Sequence, residues 1–173
     1  MGRRRARARA AAGKVVAALS VTVTVAVGVA GCTVASRQEP GQATAAVRDA
    51  LAEAASAAET TRLTVGLLDD DRLTSSVADA AILDQVRVLA DASTALTTLV
   101  PPDDTSSAQR SAGLEALEGV TAEVVAARAW VAREAGGDLS DAGDVPATGD
   151  EALARLDAAT ADLDAALALA GGA

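Results

Sequence analysis

VRDALAEAASAAETTRLTVGLL, residues 47–68, shows the helical pattern on which the architecture depends. Apolar or small side chains recur along it at alternating intervals of four and three residues, at Val47, Leu51, Ala54, Ala58, Thr61, Val65 and Leu68. Because three or four residues make about one helical turn, these side chains share one narrow face of an α-helix. The segment therefore predicts an amphipathic helix that packs against partners through that face.

Three further segments repeat the same spacing. Their apolar or small positions are Ile82, Val86, Leu89, Ser93, Leu96 and Val100, then Leu117, Val120, Val124, Ala127 and Val131, then Leu153, Leu156, Thr160, Leu163 and Leu167. The segments are rich in good helix formers and lack the period-two alternation of strands. The sequence thus predicts four helices, near residues 43–68, 75–100, 105–135 and 150–170.

Short connections that hold helix-stopping and helix-capping residues separate these segments. The residues expected to end or begin helices are Thr74 to Ser76, Pro101 and Pro102, Asp103 to Thr105, Gly136 and Gly137, and the capping-box pair Thr148 and Glu151. Short connections favour antiparallel neighbours, so the predicted fold is all-α, an antiparallel up-down-up-down four-helix bundle. With no Phe, no Tyr and one Trp, its core must consist mainly of Leu, Val, Ile and Ala. Alanine permits close helix approach but buries little area, which predicts a narrow bundle of moderate stability.

The region before the bundle has the anatomy of an export signal. Five arginines and one lysine fall within residues 1–14, and the run that follows, residues 15–31, has no charge. That run is shorter than the roughly 20 apolar residues that a membrane-spanning helix needs, and it is diluted by serine, threonine and glycine. We expect a cleaved N-terminal signal helix over residues 1–31, a tether over 32–42 and the bundle domain over 43–173.

The end of the uncharged run holds the single cysteine of the chain. Val29, Ala30, Gly31 and Cys32 together resemble a bacterial lipobox, although Val29 stands where leucine is commonest. The resemblance covers only the signal and this cysteine, and it implies a lipoprotein whose first mature residue is an acylated Cys32. The alternatives are an incidental thiol after a simple signal peptide or an uncleaved anchor. The lipoprotein interpretation predicts attachment to the cell membrane through the lipid, on the extracytoplasmic face, while the export route stays open.

The charge of the mature chain limits its partners. After residue 31 there are nine arginines, no lysine and all 24 acidic residues, which gives a net charge of −15. Binding to nucleic acid depends mainly on basic side chains that neutralise phosphates, so nucleic acid is not an expected partner. Attraction to anionic lipid headgroups is disfavoured for the same reason. An envelope protein with a basic patch is the expected partner.

The residue types available for chemistry are few. The sequence has no histidine, which excludes imidazole triads and histidine metal sites, and it has no glycine-rich phosphate loop. We therefore expect a protein without catalytic activity, cofactor or metal site. Asp69 to Asp71, Asp103 with Asp104, and the triplet Asp138, Asp141 and Asp144 are read as solvated loops or caps, with weak calcium binding as the most they offer.

Trp130 is the only aromatic residue and lies between Arg128 and Arg133. One interpretation is that the ring flanks the core and covers small alanines. The other is that an exposed ring with neighbouring guanidinium groups forms a protein-interaction site, because tryptophan and arginine are enriched at such sites. We favour the first interpretation and keep the three residues as candidate interaction residues.

These features lead to two functional hypotheses. The first is a lipid-anchored, extracytoplasmic helical protein with a binding or structural role at the cell envelope. The second is an accessory or sensor lipoprotein that binds a small ligand or a divalent cation. The first predicts a solid seam of Ala and Leu with an exposed patch, whereas the second predicts a pocket between helices with convergent polar groups.

Overall fold

The four segments predicted to be helical form four α-helices in the computed structural model, which describes residues 39–137 and 143–171. The helices are α1 Pro40–Asp69, α2 Ser75–Thr98, α3 Asp104–Glu134 and α4 Gly149–Gly171. The described part of the chain is all-helical, and the four helices pack side by side as a bundle. None of these helices has a stretch both long and apolar enough to span a membrane. The predicted fold class is confirmed.

Hydrogen bonds at one end of the bundle establish its direction. Thr44 Oγ1, near the start of α1, donates to Gln109 Oε1, near the start of α3, over 2.9 Å. Gln109 Nε2 donates to the carbonyl oxygen of Leu169, near the end of α4, over 3.2 Å. We call this the basal end and the opposite one the distal end. Since α1 and α3 begin where α4 ends, successive helices run antiparallel.

The bundle is skewed, because α1 lies against α3 across the diagonal whereas α2 and α4 have no contact within the described residues. Gly113 of α3 lies at this close approach. A Cβ placed on it would lie 3.6 Å from both Leu51 Cδ2 and Val47 Cγ1 of α1, and 3.1 Å from Leu96 Cδ1 of α2. The absence of a side chain at this position lets α3 settle between α1 and α2.

The core is built largely of alanine. The largest fully buried side chains are Leu51, Ile82, Leu89, Leu96, Leu117, Leu156, Leu163, Val47, Val65, Val120, Val124 and Val131. Alanines account for 13 of the 27 buried apolar residues in the described part, so the core contains about as many alanines as larger side chains. This composition matches the narrow seam expected from the sequence.

The seam differs from the predicted stripe at the end of α2. Val100 was expected to be buried, but its side chain is 76 % exposed, and Leu99 is buried instead. The helix ends at Thr98, and Leu99 has extended backbone with ψ of 130°. Since Pro101 and Pro102 prevent the helix from continuing, the helical period no longer determines which side chain faces inward.

Two further details differ from the sequence-based boundaries and stripes. The tether was expected to extend to residue 42, but α1 begins at Pro40, which occupies the first turn. Proline is favoured there because the amide hydrogen that it lacks has no helical partner. In α4, Leu153, Thr160 and Leu167 are only partly buried, and the alanines that precede each of them, Ala152, Ala159 and Ala166, are buried. Smaller side chains allow α4 to approach its neighbours more closely.

Candidate functional site

The lipidation site and its lipobox, Val29 to Cys32, lie outside the described residues. Seven residues lie between Cys32 and Pro40, the first residue of α1. The eight residue steps from Cys32 to Pro40 span at most about 29 Å when fully extended. The basal end, where α1 begins, is therefore the part of the bundle closest in sequence to Cys32.

The three candidate interaction residues on α3 occupy separate environments. Trp130 is buried, with 2 % of its surface exposed, so its ring does not form the exposed contact that the interaction hypothesis requires. Its indole N–H has no hydrogen-bond partner among the described residues. Arg128 pairs with Asp79 of α2, its Nε 2.8 Å from Oδ1. Arg133 donates through Nη2 to the carbonyl oxygens of Pro146 and Ala147. Arg128 thus links α3 to α2, Arg133 binds the segment that precedes α4, and Trp130 belongs to the core.

The acidic segments have structural roles where the structure describes them. Asp71 has a φ of 57° and ends α1, with its amide bonded to the carbonyl of Leu68 and that of Arg72 to the carbonyl of Leu67. Asp103 caps α3, since its Oδ1 accepts a 2.7 Å hydrogen bond from the amide of Ser106. The Asp103 carboxylate is thus a helix cap, and Asp71 supplies the backbone conformation that follows the end of α1.

The remaining acidic triplet is only partly described. Asp144 accepts a 2.7 Å hydrogen bond from Arg155 Nη2, while Asp138 and Asp141 lie outside the described residues. Within the described ranges, no three acidic or cysteine side chains are grouped closely enough to hold a metal ion.

The start of α4 carries most of the predicted capping box. Thr148 Oγ1 accepts from the amide of Glu151 over 3.1 Å, as the spacing predicts. The Glu151 carboxylate accepts over 2.6 Å from the amide of Ala147, one residue before the expected donor, Thr148. The carboxylate thereby fixes the loop that precedes the helix.

Within the described residues, ion pairs connect the helices across three of the four lateral interfaces. Arg62 Nε of α1 lies 2.6 Å from Asp157 Oδ1 of α4 without the alignment of a hydrogen bond. Together with the hydrogen bond from Arg62 to Glu59, this charge raises the pKa of Arg62. The Arg128–Asp79 pair joins α3 to α2 in the same way. The two arginines thus connect neighbouring helices.

The α3–α4 interface is closed in the same way in its distal half. Arg155 Nε of α4 donates to Glu123 Oε2 of α3 over 2.9 Å, and both side chains are about three-quarters buried, at 25 % and 24 % exposure. The hydrogen bond to Asp144 is the main reason that the pKa of Arg155 is raised. Although the burial of Arg155 opposes this, the paired carboxylates keep its guanidinium charged.

An open groove follows in the basal half of the α3–α4 interface. It has a volume of about 300 Å³ and contains Glu115 of α3 and Asp162 of α4. The wall on α3 includes Ala112, Ala116 and Gly119, and a Cβ placed on Gly119 would have no atom within 4 Å. Within the described residues, neither carboxylate forms an ion pair. We call this the α3–α4 groove.

A second groove lies on the opposite face, between α1 and α2. It measures about 360 Å³ and is lined by Glu53, Ser56, Ala57, Gln85, Val88 and Asp91. Its two carboxylates also lack an arginine partner within the described part of the chain. In the described part of the chain, the acidic side chains of both grooves therefore lack an ion-pairing arginine.

Sequence reasoning did not identify either groove. The spacing of Glu115 and Glu123, eight residues apart, and of Arg155 and Asp162, seven apart, places each pair on one face of its helix. That signal was present in the sequence. Which face of α4 meets which face of α3 is a property of the packed bundle.

Comparison with protein-family models, with curated proteins and with solved structures gives no match for this chain.

Proposed function

We propose that this protein is a lipid-anchored, extracytoplasmic helical protein with a non-catalytic binding or structural role at the cell envelope. The observation that carries the proposal is the position of Cys32, the only cysteine, directly after a basic segment and an uncharged run. Such an arrangement is typical of a lipoprotein export signal. Acylation at Cys32 attaches the chain to the outer face of the cell membrane.

The bundle geometry is compatible with such an anchor. Seven residues separate Cys32 from α1, so the extended chain between Cys32 and Pro40 reaches at most about 29 Å. The mature chain has a net charge of −15, so anionic headgroups repel it and the lipid supplies the attachment. The distal end and the lateral faces then remain available to envelope partners.

A binding role agrees with the side chains on the surface. Within the described residues, three arginine–carboxylate pairs join neighbouring helices, while the four carboxylates in the two grooves have no arginine partner. A protein partner with a basic patch supplies the opposite charge. Complementary charge accelerates encounter and selects partners, although it adds less to affinity.

Mass spectrometry of the membrane-fraction protein tests the anchor, with wild type beside Cys32→Ala and with Ser36→Ala as a matched control. We expect wild type and Ser36→Ala to lose residues 1–31 and to gain the mass of acyl chains. The Cys32→Ala chain should lack the acyl mass and leave the membrane fraction. An unacylated wild-type chain would contradict the proposal.

A small-ligand or divalent-cation receptor remains the alternative function, and one observation favours it. The α1–α2 groove brings Ser56 and Gln85 together with Glu53 and Asp91, which gives convergent polar groups between two helices. A ligand that binds only the folded state raises the melting temperature. Calcium should therefore raise the melting temperature of the wild type but not that of Glu53→Gln/Asp91→Asn, and equal melting curves with and without calcium exclude calcium as this ligand.

A further inference from the structure

We propose that the α3–α4 groove is the docking site for a partner helix that carries an arginine. This inference rests on the proposed binding function and assigns it a surface and a ligand chemistry. The groove is the basal continuation of the line on which Arg155 meets Glu123. Glu115 lies eight residues before Glu123 on α3, about 12 Å along the helix axis at 1.5 Å per residue. Asp162 lies seven residues after Arg155 on α4.

The chain itself shows which chemistry this face accepts. In the distal half, a guanidinium from one helix lies against a carboxylate of the next, and both side chains are largely buried. In the basal half, the α4 position equivalent to Arg155 is Asp162, so two carboxylates replace the ion pair. A helix-borne arginine from outside supplies the missing cation. Its planar fork can donate two parallel hydrogen bonds to a carboxylate, which the point charge of lysine does less well.

The walls of the groove suit a helix more than a free cation. Ala112, Ala116 and Gly119 offer little side chain on α3, and small residues let a partner backbone approach closely. At the basal edge, Leu169 is 62 % exposed and lines the groove beside Ala166. This apolar surface can contact the aliphatic stem of the arginine and a neighbouring apolar residue of the partner. Small side chains on the walls, an apolar edge and two carboxylates together suit the binding of an amphipathic helix in the groove.

The test is a titration of the purified, isotope-labelled full chain with two synthetic helical peptides. Both are alanine-rich; one carries an arginine and a leucine four residues apart, and the other has citrulline, the neutral isostere, in place of arginine. We expect the arginine peptide to shift the amide resonances of Gly119 and Asp162, and the citrulline peptide to bind about tenfold more weakly or not at all. High salt should weaken the arginine complex.

Three variants locate the binding. Glu115→Gln/Asp162→Asn should weaken the arginine peptide about tenfold. Asp49→Asn/Asp70→Asn makes the same change in net charge at two exposed residues that line neither groove, and it should leave the affinity unchanged. Gly119→Leu fills the groove from a position where a new Cβ meets nothing within 4 Å, and it should abolish binding while the chain stays folded.

Several outcomes overturn the docking site. These are equal binding of the two peptides, undiminished binding by Gly119→Leu, an equal loss in both charge variants, or no binding at all. Acylation of the same variants, measured by mass spectrometry, keeps this result separate from the proposed function. An acylated wild type without peptide binding refutes the groove alone, whereas an unacylated wild type refutes the anchor whatever the peptides do.

Discussion

Asp69, the last residue of α1, lies directly against Gly149, the first residue of α4. A Cβ placed on Gly149 would lie 2.6 Å from Asp69 Cγ and 3.0 Å from Asp69 Cβ. The carboxylate is thereby held at the start of a helix, where the dipole favours negative charge. At the distal end of the bundle, this contact therefore joins α1 to α4, the first and the last of the four described helices.

The first prediction concerns this contact. Gly149→Ala should lower the free energy of unfolding by about 1 kcal/mol, because the new methyl group has to displace Asp69. In the background of Asp69→Gly, which removes both of these contacting atoms, the same substitution should cost little, which gives a coupling of about 1 kcal/mol. Denaturation followed by the fluorescence of the single tryptophan measures all four chains. Gly41→Ala is the control, since a Cβ there meets nothing within 4 Å; additive effects of the two substitutions would show that the contact is absent in solution.

The second prediction concerns the end of α1. Asp71 adopts φ of 57°, a conformation that costs an L-residue more than glycine, and its neighbours make the hydrogen bonds of a Schellman motif. Asp71→Gly should therefore stabilise the protein by about 0.5–1 kcal/mol. Asp70→Gly is the control at a residue with φ of −79°, where glycine brings no relief and should destabilise. Chemical denaturation of both variants provides the comparison, and equal effects would contradict the argument.

The third prediction contrasts two glycines of α3. Gly119→Ala should stabilise by about 1 kcal/mol, because alanine favours a helix and the space beside Gly119 is open. Gly113→Leu should destabilise by about 2 kcal/mol, since a Cβ there already lies 3.1 Å from Leu96 Cδ1 and a longer side chain overpacks the core. Thermal or urea unfolding distinguishes the two. A stable Gly113→Leu chain would mean that α3 is not seated between α1 and α2.

The fourth prediction concerns the pH dependence of the distal ion pairs. The pKa of Arg155 is raised in the folded protein, chiefly by its hydrogen bond to Asp144. A raised folded-state pKa gives a stabilisation that is fully present below the unfolded-state pKa and lost only as pH rises through the folded-state value. Arg155→Gln should therefore cost the same free energy at neutral pH and at about pH 10, because arginine titrates only above this range.

The ion pair of Arg155 is partly exposed, which limits the free-energy cost of Arg155→Gln. A partly exposed pair of this kind contributes about 1 kcal/mol and weakens with salt. Arg87→Gln is the control, because Arg87 pairs only with Asp84 on its own exposed helix face and should contribute less. A cost for Arg155→Gln that falls sharply between neutral and alkaline pH would contradict the assignment.

The sequence predicted the helices well because their packing positions carry a strong period. Val47, Leu51 and Val65 are buried as the spacing requires, and the cap at Asp103 forms where its residue type suggested. The pattern was less informative in α4. It favoured the larger Leu153 as the core residue, whereas Ala152 is buried and Leu153 is only partly buried. A hydrophobic pattern is recognised mainly from its large apolar side chains, whereas helices that pack closely have small side chains between them.

The candidate site was less predictable than the fold, for a physical reason. Arg155 and Glu123 are 32 residues apart, and their contact depends on how α4 rotates about its axis when it packs on α3. A shift of one residue in that rotation would turn Asp162 away from the groove. The sequence shows which residues share a face of one helix but not which faces meet, so the α3–α4 groove follows from the packed structure alone.

The last prediction concerns Trp130, whose buried indole N–H has no hydrogen-bond partner among the described residues. A buried donor without a partner carries a desolvation cost. Removal of the N–H group therefore offsets part of the packing free energy that is lost with the smaller ring. Trp130→Phe should therefore destabilise by no more than about 1 kcal/mol, against about 3–5 kcal/mol for Trp130→Ala, which leaves a cavity. Because both variants lack the fluorophore, far-ultraviolet circular dichroism must follow unfolding, with Val125→Ala at an exposed position of α3 as the control. If Trp130→Phe proves as costly as Trp130→Ala, the N–H group is bonded in solution and the ring is fixed by that bond as well as by its packing.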